Sequence, residues 1–87
     1  MANIYLISQS TNQDYDTYVS AVVCASFECI ARDMNPRTGV QIDWSNDDLS
    51  EWCAKREDVS VKLIGIAARG AIPGVICSSY NAGQTKT

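Results

Sequence analysis

Two tyrosines alternate with acidic residues near the start of the chain, and this segment is the one best equipped to bind a ligand. It covers residues 14–18, DYDTY. A tyrosine offers a rigid ring and a hydroxyl group, which suit recognition of a base, a sugar or a partner's arginine. The candidate binding residues are Asp14, Tyr15, Asp16 and Tyr18. The alternative is a turn that enters a strand. We prefer that interpretation for Tyr18, with its ring on the core, and leave both open for Tyr15.

A second group of acidic residues lies between positions 43 and 58. Its members are Asp43, Asp47, Asp48, Glu51, Glu57 and Asp58. Such a group is ordinarily the solvated face of a helix, and we favour that interpretation. The functional alternative is contact with a basic groove on a partner protein. The candidate partner-binding residues are then Asp47, Asp48, Glu51 and Trp44. Trp44 is included because large aromatic side chains anchor interfaces.

The residue types argue against catalysis. The chain contains no histidine, so acid–base chemistry would fall to carboxylates, lysines or tyrosines. A cysteine or serine nucleophile would lack its usual activating base. Gly65, Gly70 and Gly74 are not followed by Lys-Ser or Lys-Thr, so they do not form a phosphate-binding P-loop. We therefore expect no catalytic residues and a protein that is not an enzyme.

The four cysteines Cys24, Cys29, Cys53 and Cys77 each stand beside apolar residues, and none forms a CxxC pair. This pattern favours reduced, buried thiols over a disulfide framework. The spacing does not match zinc fingers or zinc ribbons, which also use histidine. We therefore expect no bound metal and no cofactor.

The chain is acidic, with a net charge of −3 and an isoelectric point of about 4.6. Binding to a phosphate backbone needs a basic face, so direct contact with nucleic acid is not expected. An acidic chain is still compatible with a partner protein that has a basic surface, or with a small ligand. The apolar runs fall short of the roughly 18 residues that span a membrane, and residues 1–4 do not resemble a signal peptide. A cytoplasmic protein without a membrane partner is expected.

Four segments have the composition of β-strands: residues 3–8, 18–25, 59–63 and 75–80. The connection between the first two is too short for a crossover helix, which predicts an antiparallel pair. The last two are predicted to form a hairpin across a loop at 65–74, where Pro73-Gly74 is the turn signal.

Two short helices are predicted between these pairs of strands. The first begins at Ser26 as N-cap and ends before Pro36. Its apolar stripe consists of Phe27, Ile30, Ala31 and Met34. The second covers residues 46–55, after a cap signature at Ser45. Between the helices, alternation over residues 40–44 is compatible with a short or edge strand, which we leave open.

The resulting order, β-β-α-(β)-α-β-β, predicts the α+β class. We expect a single antiparallel sheet of about four strands, with one or two short helices packed on one face. A chain of 87 residues allows one domain, assigned to 1–83, with a frayed tail at 84–87. The predicted core consists of Ile4, Leu6, Val22, Val23, Phe27, Ile30, Ala31, Met34, Trp52, Val61, Leu63, Val75 and Ile76.

A homo-oligomer is expected, most simply a dimer. A domain of this size buries only about 60% of its unfolded surface, and its sheet edges need protection. Twofold symmetry is the commonest solution. The predicted contact is an edge strand or the face that carries Trp44 and Trp52.

Several segments in order resemble a recurring family of small uncharacterised proteins of phages and prophage-bearing bacteria. They are YDTYVSAVVCAS at 15–26, AR at 31–32, NP at 35–36, a tryptophan, VKLIGIA at 61–67 and GVICSSYNAG at 74–83. The resemblance extends from Tyr5 to Gly83. The chain departs from the family pattern at Val19, where aspartate is usual, and at Tyr80, where phenylalanine is common.

The resemblance implies an accessory protein of a phage, acting in the bacterial host cytoplasm. Small, acidic, non-enzymatic proteins of this kind often blunt host defence. Two modes of inhibition follow: binding a host defence protein that has a basic surface, as anti-CRISPR proteins do, or sequestering a small signalling nucleotide. The alternatives from other classes are a small enzyme acting on a nucleotide or peptide, and a structural or assembly subunit.

Overall fold

Four antiparallel strands form a single sheet in the order β3-β1-β2-β4. The computed structural model describes residues 2–81. The strands are β1 (Asn3–Ser8), β2 (Thr17–Ala25), β3 (Ser60–Ile66) and β4 (Gly74–Asn81). One α-helix, α1 (Glu28–Arg32), and a 3-10 turn at Arg56–Asp58 complete the described elements. The α+β class and the single four-stranded sheet are confirmed. The predicted tail at 84–87 lies outside the described residues.

The two central strands pair as predicted. Tyr5 lies opposite Val23, and Ile7 lies opposite Ala21. All four side chains belong to the core cluster, and Ile7 and Val23 are fully buried. Burial of facing apolar residues on adjacent strands is the main source of stability for such a sheet.

The face of β1 that enters the core is the opposite of the predicted one. Ile4 and Leu6, with Val22 in β2, are only half-buried and lie outside the core cluster. Residues 4–7 are all apolar, so their pattern does not distinguish the two faces. Side chains of a strand alternate between the two faces of the sheet. An assignment that is shifted by one residue therefore places every inward-facing side chain on the outward face.

The predicted hairpin of β3 and β4 is wrong. β3 pairs with β1 and β4 pairs with β2, so the two strands occupy opposite edges of the sheet. Leu63 in β3 and Ile76 in β4, both predicted to lie in the core, are 58% and 57% exposed. Pairing with a neighbouring strand satisfies backbone groups, whereas a side chain on a sheet face is buried only where another element packs over it. Register shifts leave Ile64 and Ile76 without cross-strand partners in β1 and β2.

The first helix is shorter than predicted. Phe27, not Ser26, occupies the N-cap position, and its side chain makes no capping bond. A helix of five residues is little more than one turn, so the expected apolar stripe cannot lie on a single side. Ala31 and Met34 are buried, whereas Phe27 and Ile30 are 65% and 44% exposed.

Apart from the 3-10 turn at Arg56–Asp58, residues 33–59 form turns and loops in place of the predicted second helix. The described residues contain no strand at 40–44 either, only an isolated bridge between Met34 and Gln41. Carboxylates here accept bonds from nearby backbone N–H groups, and such bonds compete with helix formation. Asp47 Oδ2 accepts from the backbone of Asp43 at 2.8 Å. Asp48 Oδ1 accepts from the backbone of Ser50 at 3.0 Å.

This segment nevertheless completes the core. It contributes the buried side chains of Ile42, Trp52, Cys53 and Val59. Among the predicted core residues, burial is confirmed for Val23, Ala31, Met34 and Trp52, while Val61 and Val75 are half-buried against the cluster. Within residues 2–81, no helix has the length and apolar character needed to cross a membrane.

Replacing Ile7 with alanine should lower the free energy of unfolding by about 2–5 kcal/mol, because a fully buried isoleucine loses its packing and leaves a cavity. Ile30→Ala is the matched control. It removes the same atoms from a side chain that is 44% exposed, so its expected cost is below about 1 kcal/mol. Urea denaturation of both variants measures the two values. Equal losses would contradict this assignment of the core.

Candidate functional site

A buried glutamine organises the loop between β1 and β2. Gln9 is only 5% exposed. Its Nε2 donates to the carbonyl oxygens of Asn12 at 2.8 Å and Tyr18 at 2.9 Å, and its Oε1 accepts from the Asn12 backbone at 2.8 Å. The side-chain amide thus satisfies backbone groups that the loop leaves without partners. No sequence pattern indicates this role, since Gln9 lies in an ordinary polar stretch.

Asn12 connects this loop to the segment before the 3-10 turn. Its Nδ2 donates to the carbonyl oxygens of Ser50 at 3.1 Å and Trp52 at 2.7 Å. Between them, the carbonyl of Glu51 accepts from the backbone N–H of Tyr18 at 2.7 Å. Three bonds to three consecutive residues therefore place Glu51 beside the start of β2.

Asp16 connects the same loop to the end of β4. Its backbone φ is 63°, in the left-handed region that aspartate tolerates better than most residues. Its N–H donates to the carbonyl of Asn81 at 2.5 Å. In return, Asn81 Nδ2 donates to the carbonyl of Asp14 at 3.1 Å, and Thr17 Oγ1 donates to the same carbonyl at 2.6 Å. These bonds fix the direction in which β2 begins.

Tyr18 and Tyr80 lie opposite each other on β2 and β4. Their ring centroids are 4.7 Å apart, and the ring planes are inclined by 59°. The hydroxyl of Tyr80 donates to Asp16 Oδ1 over a long 3.4 Å. Tyr80 is 43% exposed and Tyr18 is half-buried. We call Asp16, Tyr18, Glu51 and Tyr80 the tyrosine–carboxylate site.

The surroundings of Tyr80 disfavour a negative charge. Partial desolvation raises the pKa of Tyr80 above its ordinary value of 10.0, and the carboxylates of Asp16 and Glu51 raise it further. Arg37 lies at the border of the site, where its Nε is 3.2 Å from Glu51 Oε1. Both members of that ion pair are largely exposed, so the pair itself adds little stability.

The first predicted cluster is divided between this site and its supporting loop. Asp16 and Tyr18 belong to the tyrosine–carboxylate site. Tyr15 is 70% exposed next to Asp16 in sequence, and Asp14 takes part through its backbone carbonyl. Tyr80, which completes the ring pair, was not predicted. It lies in the last strand, and only the pairing of β4 with β2 brings it to the cluster.

The second predicted cluster is dispersed. Glu51 joins the tyrosine–carboxylate site, whereas Asp47 and Asp48 accept backbone hydrogen bonds within their own turns. Trp44 is half-buried against the core, and its Nε1 donates to Asp33 Oδ1 at 3.0 Å. The structure therefore brings one of these four residues to the tyrosine cluster.

The cysteines are free thiols, as expected, but only Cys24 and Cys53 are buried. Cys29 in α1 and Cys77 in β4 are exposed, which corrects the prediction of four buried thiols. Burial raises the pKa of the Cys53 thiol to about 11, and the nearby charge of Asp58 contributes. Among residues 2–81, no group of histidine, cysteine, aspartate or glutamate side chains could hold a metal ion.

Two cavities are lined by residues other than those of the tyrosine–carboxylate site. A groove of about 210 Å³ beside α1 is lined in part by Cys29 and Asp33. It is smaller than the roughly 300–1,000 Å³ of common ligand pockets. A more open hollow of about 480 Å³ lies near Asn12 and Lys55. The residues of the tyrosine–carboxylate site line neither of these cavities, and Tyr80 is 43% exposed to solvent.

No protein-family model, curated protein or solved structure matches this chain. The likeness to phage proteins therefore stays a prediction.

Tyr80 should ionise at a higher pH than a free tyrosine, and Asp16→Asn should move its pKa back towards 10.0. The substitution removes a negative charge, while asparagine retains the left-handed backbone conformation. Phenolate absorbance followed against pH measures the change, and Tyr80→Phe identifies the signal. An unaltered titration of Tyr80 in Asp16→Asn would show that the two side chains do not interact.

Cys53 should react with iodoacetamide roughly a hundredfold more slowly in the folded protein than in the unfolded chain at pH 8. Only the thiolate reacts, and a pKa of about 11 in place of 9.0 lowers its population by that factor. Mass spectrometry of timed samples locates the labels, and exposed Cys29 serves as the comparison within the same chain. Equally fast labelling of Cys53 and Cys29 in the folded protein would contradict this burial.

Proposed function

We propose that this protein is a small, non-enzymatic accessory protein of the phage type that inhibits a host defence system by binding, and that the tyrosine–carboxylate site is its binding surface. The partner is a defence protein with a basic surface, in the manner of anti-CRISPR proteins. The group bound at the site is an arginine side chain. The sequence resemblance supports the phage context, and the geometry of the site supports the chemistry.

The observation that carries the proposal is the pair of tyrosine rings next to two carboxylates. The rings of Tyr18 and Tyr80 are 4.7 Å apart, and Asp16 accepts a bond from the Tyr80 hydroxyl. A guanidinium group stacks on tyrosine rings and also pairs with carboxylates, so one arginine matches both components. The negative charges that raise the pKa of Tyr80 also attract a cation.

The rigidity of the site supports the same proposal. The backbone of Tyr18 is held by Gln9 and Glu51, and the backbone of Asp16 is held by Asn81. A site whose backbone is fixed before binding loses less conformational entropy when the partner arrives. The loop can therefore recognise a partner without folding around it.

A signalling nucleotide is the second candidate. The exposed ring of Tyr80 and the guanidinium of Arg37 beside Glu51 favour it. A nucleobase can stack on an aromatic ring, and arginine is suited to bind phosphate. The carboxylates of Asp16 and Glu51 would repel the phosphate, so we place this candidate after the basic protein.

Two other classes of function, a small enzyme and a structural subunit, predict different experimental results. A small enzyme acting on a nucleotide or a peptide would convert its ligand, and a single carboxylate or cysteine substitution would abolish turnover. A structural or assembly subunit would form a stable oligomer without a soluble ligand. Native mass spectrometry of the protein purified from its host distinguishes these cases, because it reports bound proteins, small molecules and oligomers together.

The site itself can be tested with a fluorescent hexa-arginine peptide as a probe for a basic surface. Asp16→Asn and Tyr80→Ala should each weaken binding roughly tenfold, since each removes part of the guanidinium site. Fluorescence anisotropy measures the affinities, and circular dichroism checks the fold. A hexa-lysine peptide should bind more weakly than hexa-arginine, because lysine cannot make the planar, bidentate contact.

Asp48→Asn is the matched control for charge. It removes the same charge as Asp16→Asn, and asparagine keeps the acceptor that Asp48 offers to the Ser50 backbone. Its affinity for hexa-arginine should stay within about twofold of the wild type. If Asp16→Asn and Asp48→Asn weakened hexa-arginine binding equally, the peptide would be attracted by the overall negative charge of the protein and not by the tyrosine–carboxylate site. If Tyr80→Ala bound hexa-arginine with wild-type affinity, the pair of tyrosine rings would not be part of the binding surface.

A further inference from the structure

An arginine of the chain itself contacts one carboxylate of the tyrosine–carboxylate site. Nε of Arg37 lies 3.2 Å from Oε1 of Glu51. The two residues belong to separate turns of the segment between α1 and the 3-10 turn. The cation beside Glu51 is thus a guanidinium, the same group that the proposed partner presents to this site.

A tight turn fixes the backbone of Arg37. Oδ1 of Asn35 accepts from the backbone N–H groups of Arg37 at 2.8 Å and Thr38 at 3.2 Å. The N–H of Gly39 donates to the carbonyl of Asn35 at 2.8 Å. Gly39 has a φ of 77°, a left-handed conformation that glycine adopts without steric cost. The turn therefore holds the backbone of Arg37 in place by bonds that do not involve its side chain.

The backbone of Glu51 is fixed as well. Its carbonyl accepts from the N–H of Tyr18 at 2.7 Å, and Asn12 bonds to the residues on either side of it. Neither end of the ion pair depends on the pair for its backbone position. Rotation of the two side chains is therefore enough to separate Arg37 from Glu51.

The ion pair is also exposed to water. The side chain of Arg37 is 59% exposed and that of Glu51 is 44% exposed. Pairs of this kind are weak, so another cation can displace the arginine. Within residues 2–81 the structure records no ring contact of Arg37. A guanidinium that pairs with Glu51 and also stacks on Tyr80 therefore has an advantage over Arg37.

Glu51 contributes to the electrostatic field at the tyrosine rings. Its negative charge is one of the causes that raise the pKa of Tyr80, together with that of Asp16. The positive charge of Arg37 lies against Glu51 and opposes this contribution. An arriving cation is consequently attracted less strongly than it would be in the absence of Arg37.

We propose that Arg37 is an internal competitor at the tyrosine–carboxylate site: it occupies Glu51 in the free protein, and the partner's arginine displaces it. This inference rests on the proposed function, because it assumes that the ligand is a guanidinium group. It assigns to the site a residue that lowers affinity. A cation that contacts only the carboxylate has to compete with Arg37, whereas an arginine that also reaches the rings is favoured.

Arg37→Gln tests the competition, and Lys62→Gln is its matched control. Both substitutions remove one positive charge, but Lys62 lies on β3 at the other edge of the sheet. Arg37→Gln should bind the fluorescent hexa-arginine peptide about fivefold more tightly than the wild type, because Glu51 no longer has an internal partner. Lys62→Gln should change the affinity by less than about twofold at 0.15 M salt, since distant charges are screened.

Two further measurements locate the effect at Glu51. In a Glu51→Gln background, Arg37→Gln should change the hexa-arginine affinity by less than about twofold, because the carboxylate for which the two cations compete is gone. Without any peptide, Arg37→Gln should raise the pKa of Tyr80 further, since the charge of Glu51 is no longer opposed. Phenolate absorbance measures that pKa, and circular dichroism confirms the fold of each variant.

Unchanged or weaker binding of hexa-arginine by Arg37→Gln overturns the internal competitor. Equal tightening by Lys62→Gln also overturns it, and so does a Tyr80 pKa that stays the same or falls in Arg37→Gln. If Asp16→Asn and Tyr80→Ala bind hexa-arginine as the wild type does, the proposed function fails and this inference fails with it. If those two variants bind more weakly but Arg37→Gln does not bind more tightly, only the internal competitor is excluded.

Discussion

The pairing of β1 with β2 supports both the core and the tyrosine–carboxylate site. Ile7 and Val23, on these adjacent strands, are fully buried, and each central strand supports one edge strand. Gln9 and Asn12 stabilise the loop that joins the central pair, and this loop leads directly to Tyr18 in β2. Tyr80 reaches the site only because β4 pairs with β2. Loss of the central pair would therefore remove the site together with the fold.

Strand composition and turn chemistry were enough to predict where the four strands lie, but not how they are arranged. β1 was placed correctly at residues 3–8, yet its inward face was not, since residues 4–7 are uniformly apolar. The neighbours of β3 and β4 depend on contacts between distant segments, which no local pattern reports. The failed helix at 46–55 has a local cause: Asp47 and Asp48 bond to backbone N–H groups in turns, and this competes with a helix.

The candidate site was predictable to the extent that its residues are adjacent in sequence. Asp16 and Tyr18 could be recognised because tyrosines and carboxylates alternate over a few positions. The sequence points to Glu51 for a different reason, as part of an acidic stretch, and its place here follows from the backbone bond to Tyr18 and from the effect of its charge on the pKa of Tyr80. Tyr80 had no signal of its own. A tyrosine at the end of an apolar strand is ordinary until the register pairs it with a second ring.

The two edges of the sheet present opposite chemistry, and the reason lies in what covers them. At the β4 edge, the loop from β1 to β2 folds over the strand ends and brings carboxylates to a pair of tyrosines. At the β3 edge, the five-residue α1 packs against the strand but leaves Leu63 and Ile66 exposed among the described residues. Both edge strands also carry an unpaired residue, Ile64 or Ile76, which works against uncontrolled addition of strands. The two edges therefore differ mainly in the side chains that they expose: tyrosines and carboxylates beside β4, and the apolar Leu63 and Ile66 on β3.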